Sequence, residues 1–254
     1  MRKTAKTWNG PRKFLNKLLV AVRHCRLGLP DTIGIEISTA CDRRCSYCPQ
    51  SIVKPKQEII DGDLFNLFVD RVKEAGWKGI VGISGWAEPS LVKNSHEYVK
   101  AIADIGAKPS VFTNGRDPQS IADWIDAGAC RVVITEHEPF TKYQGEEIRR
   151  LAKRHRVIVT IKRIDESTLI SKMGDWPVKI GGLPMTKCQF SEAVGYNVKG
   201  KAYLCCIDYA CEYSTGDLSV PILDLWFSSK YQTIRKLVQS GKPVNKLCQK
   251  CLIG

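Results

Sequence analysis

Three cysteines stand close together near the start of the chain. Cys41, Cys45 and Cys48 follow the apolar segment 33–37 in the spacing Cys-x-x-x-Cys-x-x-Cys. Thiolates are the protein ligands of iron–sulfur clusters, and three of them on one short loop can hold three irons of a [4Fe-4S] cluster. The fourth iron would have no protein ligand. We therefore expect a reactive cluster on this loop, whereas four cysteines would close the cluster into an electron carrier.

A second set of cysteines lies near the C-terminus. The set is Cys188, Cys205, Cys248 and Cys251. The first two are separated by eleven residues, Gly200 and four more residues, and the last two form a Cys-x-x-Cys pair. Such a set can hold zinc or an iron–sulfur cluster, and its spacing alone does not choose the metal. Cys206 is an alternative to Cys205 as a ligand, and the role of Cys211 is open.

The cysteine count indicates the compartment. The chain has 11 cysteines, an odd number, and most of them fall into these two sets. A disulfide framework would need pairs, so we expect reduced thiols and a cytoplasmic protein, in the cytoplasm of the host if the source is viral. The sequence has no run of about 18 apolar residues, so no membrane span is expected. The apolar patch 18–22 is short and lacks a small-residue cleavage site, so no signal peptide is expected.

Short β-rich segments alternate with helical segments after residue 31. The predicted strands are 32–38, 80–84, 109–113, 131–135 and 157–162, and the predicted helices are 61–75, 92–105, 118–127 and 146–155. This alternation predicts an α/β fold with a parallel sheet, whose chemistry belongs at the carboxyl ends of the strands. The notable motifs all fall there: the three-cysteine loop, then 85–89, 113–115 and 135–137.

These motifs resemble those of the radical S-adenosylmethionine (SAM) superfamily. The resemblance rests on the three-cysteine spacing, Tyr47 before the last of the three, the Glu88-Pro89 pair, and the Thr113-Asn114 pair. It implies a partial (β/α)6 TIM-type barrel in which SAM binds the open iron. It also implies cofactor-binding roles for Tyr47, Gly85, Glu88, Thr113 and Asn114, with Glu88 accepting from the SAM ammonium group and Asn114 binding its ribose or carboxylate.

The second cysteine set resembles the twitch subdomain, a shortened SPASM domain. This resemblance implies a small C-terminal, cysteine-rich α+β subdomain whose four cysteines hold an auxiliary [4Fe-4S] cluster. Segment 197–202 reads as a hairpin turn that would return Cys205 to Cys188. We therefore divide the chain into a basic N-terminal extension or helix (1–30), a radical SAM partial barrel (31–183) and a twitch subdomain (184–254).

Positive charge is concentrated at the N-terminus. The formal net charge is +13, and residues 1–30 contain eight basic residues and no acidic one: Arg2, Lys3, Lys6, Arg12, Lys13, Lys17, Arg23 and Arg26. Such a segment attracts a polyanion such as DNA, or it is a solvated arm.

The resemblance implies an enzyme that removes a substrate hydrogen atom with a 5′-deoxyadenosyl radical. We rank first an isomerase acting on a glycyl-type modified thymine in phage DNA, because of the basic extension. The alternatives are a dehydrogenase that oxidises a secondary alcohol of an aminocyclitol, as 2-deoxy-scyllo-inosamine dehydrogenase-type enzymes do, and a peptide- or protein-modifying enzyme. A flavodoxin or ferredoxin would supply electrons. The candidate substrate residues are Glu136, His137 and Arg163, with Lys162 and Asp165 nearby.

Overall fold

The structure is a computed structural model of the chain. It describes residues 28–45, 48–51, 55–83, 85–136, 142–163, 188–205, 208, 211, 213–246 and 248–249. The expected basic helix and most of the N-terminal extension lie outside these residues, as does the proposed boundary near residue 183. The three-part division of the chain therefore stays a prediction.

One eight-stranded sheet organises the described residues. Its order is β5-β4-β3-β2-β1-β6-β7-β8. The strands are β1 Thr32–Ile35, β2 Ile80–Ile83, β3 Lys108–Thr113, β4 Arg131–Glu136, β5 Ile158–Arg163, β6 Ala193–Tyr196, β7 Lys201–Tyr203 and β8 Ser214–Asp217. The first six are joined as parallel neighbours, and β7 and β8 extend the sheet as antiparallel strands. The sheet thus has the six parallel strands of the expected partial barrel, and the predicted fold class is confirmed.

Six α-helices and three short 3-10 helices accompany the sheet in the described part of the chain. The α-helices are α1 Gly62–Glu74, α2 Ser95–Asp104, α3 Pro118–Asp126, α4 Lys142–His155, α5 Ile222–Phe227 and α6 Ser229–Gln239, and the 3-10 helices are Pro49–Ser51, Pro89–Leu91 and Gln189–Glu192. Side-chain caps begin several of these helices, and aspartates cap α1 and α3. Asp61 accepts from the backbone N–H groups of Asp63 and Leu64 at 2.9 and 3.2 Å, and Asp117 accepts from Gln119 at 3.1 Å. These caps satisfy N–H groups that have no partner within the helix.

The core lies between one face of the sheet and the helices. Ile33 and Ile35 of β1 are fully buried there with Phe68 of α1 and Trp124 of α3. Alternate strand residues point to the opposite, concave face. On that face Gly34 lies in register with Gly82 on β2 and Gly195 on β6. The same strands therefore carry a packed hydrophobic face and a nearly bare one.

The sequence located all five of its strands and all four of its helices, with small differences at the ends. The helix expected from residue 92 begins at Ser95, because Pro89–Leu91 forms a 3-10 turn and Asn94 has a left-handed backbone with φ of 56°. The sixth parallel strand, β6, was not predicted. It belongs to the C-terminal cysteine-rich segment and pairs with β1 across the chain. Among the described residues, no helix is long and apolar enough to cross a membrane.

A buried hydrogen bond between α2 and α3 provides a test of this packing. The Trp124 indole Nε1 donates to the Ser95 Oγ at 2.9 Å, and both side chains are buried. We expect Ser95→Ala to lower the free energy of unfolding by about 1–2 kcal/mol, since the indole N–H loses its acceptor. Urea unfolding measures this. Ser240→Ala, at an exposed helix end, is the control and should change stability by under about 0.5 kcal/mol; equal losses would contradict the packing.

Candidate functional site

The three-cysteine loop begins just beyond the carboxyl end of β1. Cys41, Cys45 and Cys48 are thiols of intermediate exposure that form no disulfide bond with the other described cysteines. The loop curls locally: the Cys48 N–H donates to the Cys45 carbonyl at 2.9 Å, and the Arg43 N–H donates to the Cys41 sulfur at 3.4 Å. These two hydrogen bonds curl the chain around Cys41 and between Cys45 and Cys48.

The environment of these thiols is suited to a metal cluster. Burial raises the pKa of Cys41, and it raises the pKa of Cys48 to about 11. The neighbouring thiols push both pKa values in the same direction, which shows that the three sulfurs are electrostatic neighbours. Binding to iron would displace these protons, because the thiolate is the ligand. The donor set therefore fits a cluster that takes three cysteine ligands.

A single metal ion would need its ligating side chains closer together than these three thiols are. Within the described ranges, no group of three or more His, Cys, Asp or Glu side chains is arranged to hold one. A [4Fe-4S] cluster spreads three thiolates over three irons, so the spacing of Cys41, Cys45 and Cys48 does not conflict with it.

Hydrogen bonds fix the loop to the ends of β2 and β3. The buried Gln50 side chain donates to the carbonyl groups of Thr39 and Trp86 at 2.8 and 2.6 Å. Asp42 accepts from the Asn114 side chain at 2.9 Å and forms an ion pair with Arg116 at 2.8 Å. The loop is thus held by the segments that follow β2 and β3, which lie on the same side of β1.

Glu88 joins those two segments to each other. It is 1% exposed and accepts from the Ser90 N–H at 3.0 Å, the Thr113 hydroxyl at 2.7 Å and the Asn114 N–H at 2.6 Å. Its own N–H donates to the Ala40 carbonyl at 2.8 Å. The structure therefore gives Glu88 and Thr113 an organising contact at the cluster loop. Their roles in binding SAM, like those of Gly85 and Asn114, stay predictions.

The predicted substrate residues lie one strand further along the sheet. Glu136 ends β4 and is in register with Arg163, which ends β5. Lys162 is the neighbouring residue of β5. His137 and Asp165 lie outside the described residues, as does Tyr47 of the cluster loop. The structure thus places Glu136 and Arg163, two of the three predicted substrate residues, side by side at the expected edge of the sheet, and their roles stay predictions.

Three of the four auxiliary cysteines are neighbours. Burial raises the pKa of the Cys248 thiol, and the thiols of Cys205 and Cys188 raise it further. The predicted hairpin is present: β6 and β7 pair antiparallel, and the Asn197 side chain accepts from two N–H groups of the turn at 3.0 Å. Cys251 and the alternative ligand Cys206 lie outside the described residues. Cys211 is a buried thiol whose N–H donates to the Asp208 carbonyl at 2.9 Å.

A polar pair that the sequence analysis missed lies on the concave face. Glu36 follows β1, is 9% exposed, and lies on the same face as Gly34. Burial raises the pKa of Glu36 to about 8, although a hydrogen bond from the Tyr203 hydroxyl opposes the rise. In the sequence Glu36 is the single acid of an apolar run, which was the available signal. Its partner on β7 could not be found from spacing.

The Glu88 contacts give the first test of the site. We expect Glu88→Gln to lower the free energy of unfolding by about 2–3 kcal/mol, because the new amide donor would face N–H groups that have lost a charged acceptor. Thr113→Val should cost about 1 kcal/mol, since two N–H donors remain. Chemical unfolding of both variants checks this order. Glu97→Gln, on the exposed side of α2, is the matched control. Equal losses of stability in all three variants would contradict the predicted role of the Glu88 hydrogen bonds.

The pH dependence of stability gives the second test. A carboxyl whose pKa is raised on folding favours the folded state while protonated, and this contribution is lost as pH rises through about 8. Glu36→Gln should remove that loss, so the variant gains stability relative to the wild type between pH 5.5 and 9, by up to about 1.4 kcal/mol per pH unit. Melting temperatures across this range measure it. A difference that does not vary with pH would show that Glu36 has an ordinary pKa.

The comparisons with known proteins agree with this arrangement. Residues 188–252 match the model of SPASM, an iron–sulfur cluster-binding domain. The S-adenosyl-L-methionine-dependent 2-deoxy-scyllo-inosamine dehydrogenase of Niallia circulans is 23% identical over 233 residues, covering 86% of this chain and 91% of the relative.

Two solved structures have a similar fold. BtrN in complex with AdoMet and 2-DOIA aligns with a TM-score of 0.72 and 21% identity, over 84% of this chain and 88% of that one. The anSMEcpe enzyme with bound AdoMet aligns with a TM-score of 0.57 and 15% identity, over 87% and 86% of the two chains. The comparisons support the predicted SAM and [4Fe-4S] cofactors, and they confirm the resemblance inferred from the motifs. The chain thus has the fold of the radical SAM enzymes, with a SPASM-type iron–sulfur segment at its C-terminus.

Proposed function

We propose that the chain is a radical SAM dehydrogenase that oxidises a secondary alcohol of an aminocyclitol-like small molecule. The observation that carries this proposal is the match, along 86% of the chain, to a dehydrogenase of that class. The two cysteine sets support it, because such an oxidation needs two redox groups. One set follows β1, and the other has members before and after the β6–β7 hairpin. This ranking replaces the expectation of a DNA-base isomerase, which no comparison supports.

The chain's own residues supply two ligand sets for this reaction. Cys41, Cys45 and Cys48 would hold the cluster that binds SAM, and the C-terminal cysteines would hold the auxiliary [4Fe-4S] cluster. When bound and reduced, these cofactors supply a 5′-deoxyadenosyl radical that removes a hydrogen atom from a C–H bond. Oxidation of an alcohol to a ketone also releases a proton and a second electron. The C-terminal cysteines would hold the acceptor of that electron.

The surroundings of the cluster loop would orient the substrate against it. Gln50, Asp42 and Glu88 hold the loop to the ends of β2 and β3, so the thiols cannot move independently of those strands. Glu136 and Arg163, at the ends of β4 and β5, are our candidates for substrate contacts. A reductant such as flavodoxin or ferredoxin would deliver electrons. The eight described cysteines form no disulfide bond with one another, and the compartment that we propose is the cytoplasm, where thiols stay reduced.

Cysteine replacement tests the class of the enzyme. We expect the anaerobically reconstituted wild type to hold about eight irons per chain, four for each cluster. Cys45→Ala should lose about half of this iron and form no 5′-deoxyadenosine with dithionite and SAM. Cys130→Ala is the control, because Cys130 lies before β4 and outside both sets; it should keep both properties. SAM cleavage by Cys45→Ala would contradict the proposal.

The substrate class is decided in the same assay. We expect aminocyclitols with a free secondary hydroxyl to stimulate 5′-deoxyadenosine formation and to be recovered as ketones by mass spectrometry. Modified DNA and cysteine- or serine-containing peptides serve as the competing substrates. Stimulation by DNA alone, weakened by salt, would instead assign the eight basic residues of segment 1–30 to a nucleic-acid substrate. Stimulation by peptides alone would assign a peptide-modifying enzyme.

A further inference from the structure

The floor of the concave face carries a row of three glycines. Gly34, Gly82 and Gly195 are in register on three adjacent parallel strands. A Cβ added to Gly34 would make an ordinary 3.6 Å contact with the Gly195 Cα. Glycine in a strand weakens it, so three aligned glycines indicate a place where another group approaches the backbone closely.

Glu36 and Tyr203 close over one end of this floor. The Tyr203 ring covers Gly195, since a Cβ there would lie 2.4 Å from the ring, and its hydroxyl donates to the Glu36 carboxylate. On the other side Gly85 packs against Glu36, and a Cβ on it would lie 2.6 Å from the Glu36 Cγ. Gly85 belongs to the segment that Glu88 ties to the cluster loop. Glu36 therefore lies between that segment and the β6–β7 hairpin that leads to Cys205.

The surroundings of Glu36 are unusual for a buried carboxyl. Such groups are normally paired with a cation or accept several hydrogen bonds. Among the described residues, the recorded side-chain partner of Glu36 is the neutral Tyr203 hydroxyl. The charged and titratable groups on the elements around it include Lys201 of β7, which is exposed, the Cys211 thiol, which precedes β8, and Glu88, whose carboxylate accepts from Thr113. Burial has the largest influence on the pKa of Glu36 and favours its protonated form.

From this geometry we infer that Glu36 is a catalytic residue that accepts the proton of the hydroxyl group being oxidised, and that Tyr203 is its positioning residue. The inference rests on the proposed dehydrogenase function. With the cofactors bound, the substrate carbon would give up its hydrogen atom and the hydroxyl proton would move to Glu36. The remaining electron would go to an acceptor held by the C-terminal cysteines as the C–O single bond becomes C=O. A hydrogen atom, a proton and an electron are thus all accounted for.

The acidity of Glu36 suits this role. A proton acceptor works best when its pKa is near the pH at which the enzyme operates. An exposed glutamate would be too weak a base for an alcohol-derived group, whereas burial brings the pKa of Glu36 to about 8. The ionised fraction rises with pH through this value, so the rate of ketone formation should rise with it. The Tyr203 hydroxyl opposes the rise in pKa and holds the carboxylate in place.

The first experiment needs no clusters and no turnover. The infrared C=O band of a protonated carboxyl is followed in the cluster-free protein from pH 5 to 10. We expect a band that disappears with a midpoint near 8 and is absent from Glu36→Gln. Tyr203→Phe should move the midpoint upward, since the hydrogen bond that lowers the pKa is removed. Glu97→Gln, on the outer helix α2, should keep the wild-type band.

The second experiment measures ketone formed per 5′-deoxyadenosine in the reconstituted enzyme. With Glu36→Gln we expect SAM cleavage to continue while this ratio falls on the order of 100-fold and loses its rise with pH. Glu97→Gln should match the wild type. A variant that only misfolds would lose SAM cleavage as well, so the ratio separates the two cases.

Two results would overturn the inference. One is a band that titrates below pH 6 or persists in Glu36→Gln; the other is a wild-type ratio in Glu36→Gln with an active wild type. The latter would leave the dehydrogenase function standing. A wild type that forms no ketone from any alcohol offered would overturn the dehydrogenase function, and the role of Glu36 with it.

Discussion

The buried carboxylate of Glu88 is the contact on which the arrangement of the site depends. One side chain accepts from the segment after β2 and from two groups at the end of β3, and its backbone N–H reaches the loop after β1. A parallel sheet brings its strand ends to one edge but does not determine how the loops beyond that edge are placed. Glu88 supplies that placement. Together with Asp42 and Gln50, Glu88 sets the position of Cys41 relative to Asn114.

The concave face of the sheet is built differently from the loops at the strand ends. There the strands carry glycines where a barrel interior would normally be filled by branched side chains. Glu36, which follows β1, and Tyr203, from the hairpin of the C-terminal segment, flank this row of glycines. Packing on the helix side is dense, with Ile33, Ile35 and Trp124 fully buried. The hydrophobic core and the polar Glu36–Tyr203 pair thus lie on the two faces of the same strands.

Much of this architecture could be predicted because it is local. Strands such as β4 can be predicted from their apolar β-rich segments. Helices such as α3 can be predicted from apolar periodicity, a proline at the first helical position and an aspartate cap. The three-cysteine loop is local too, and the hairpin follows from its turn residues. The missing parts depend on contacts between distant residues. Three such contacts are the pairing of β6 with β1, the Tyr203–Glu36 hydrogen bond and the ion pair between Asp42 and Arg116. Each joins segments that are far apart in the sequence, so no local pattern predicts it. The sequence motif marked Glu88 as a cofactor ligand, but its three donors become visible only in the structure.

The position of β6 constrains how the chain can be assembled. β1 is an interior strand, with β2 on one side and β6 on the other. Its second partner is synthesised only after the first five strands are complete. Until then β1 presents an unpaired backbone edge, the kind of surface that pairs with other chains. The C-terminal segment therefore does more than supply cysteines: its strand β6 pairs with the otherwise open edge of β1. A chain that ended before Ala193 would leave β1 as an exposed, aggregation-prone edge strand, although β1 is an interior strand of the complete sheet.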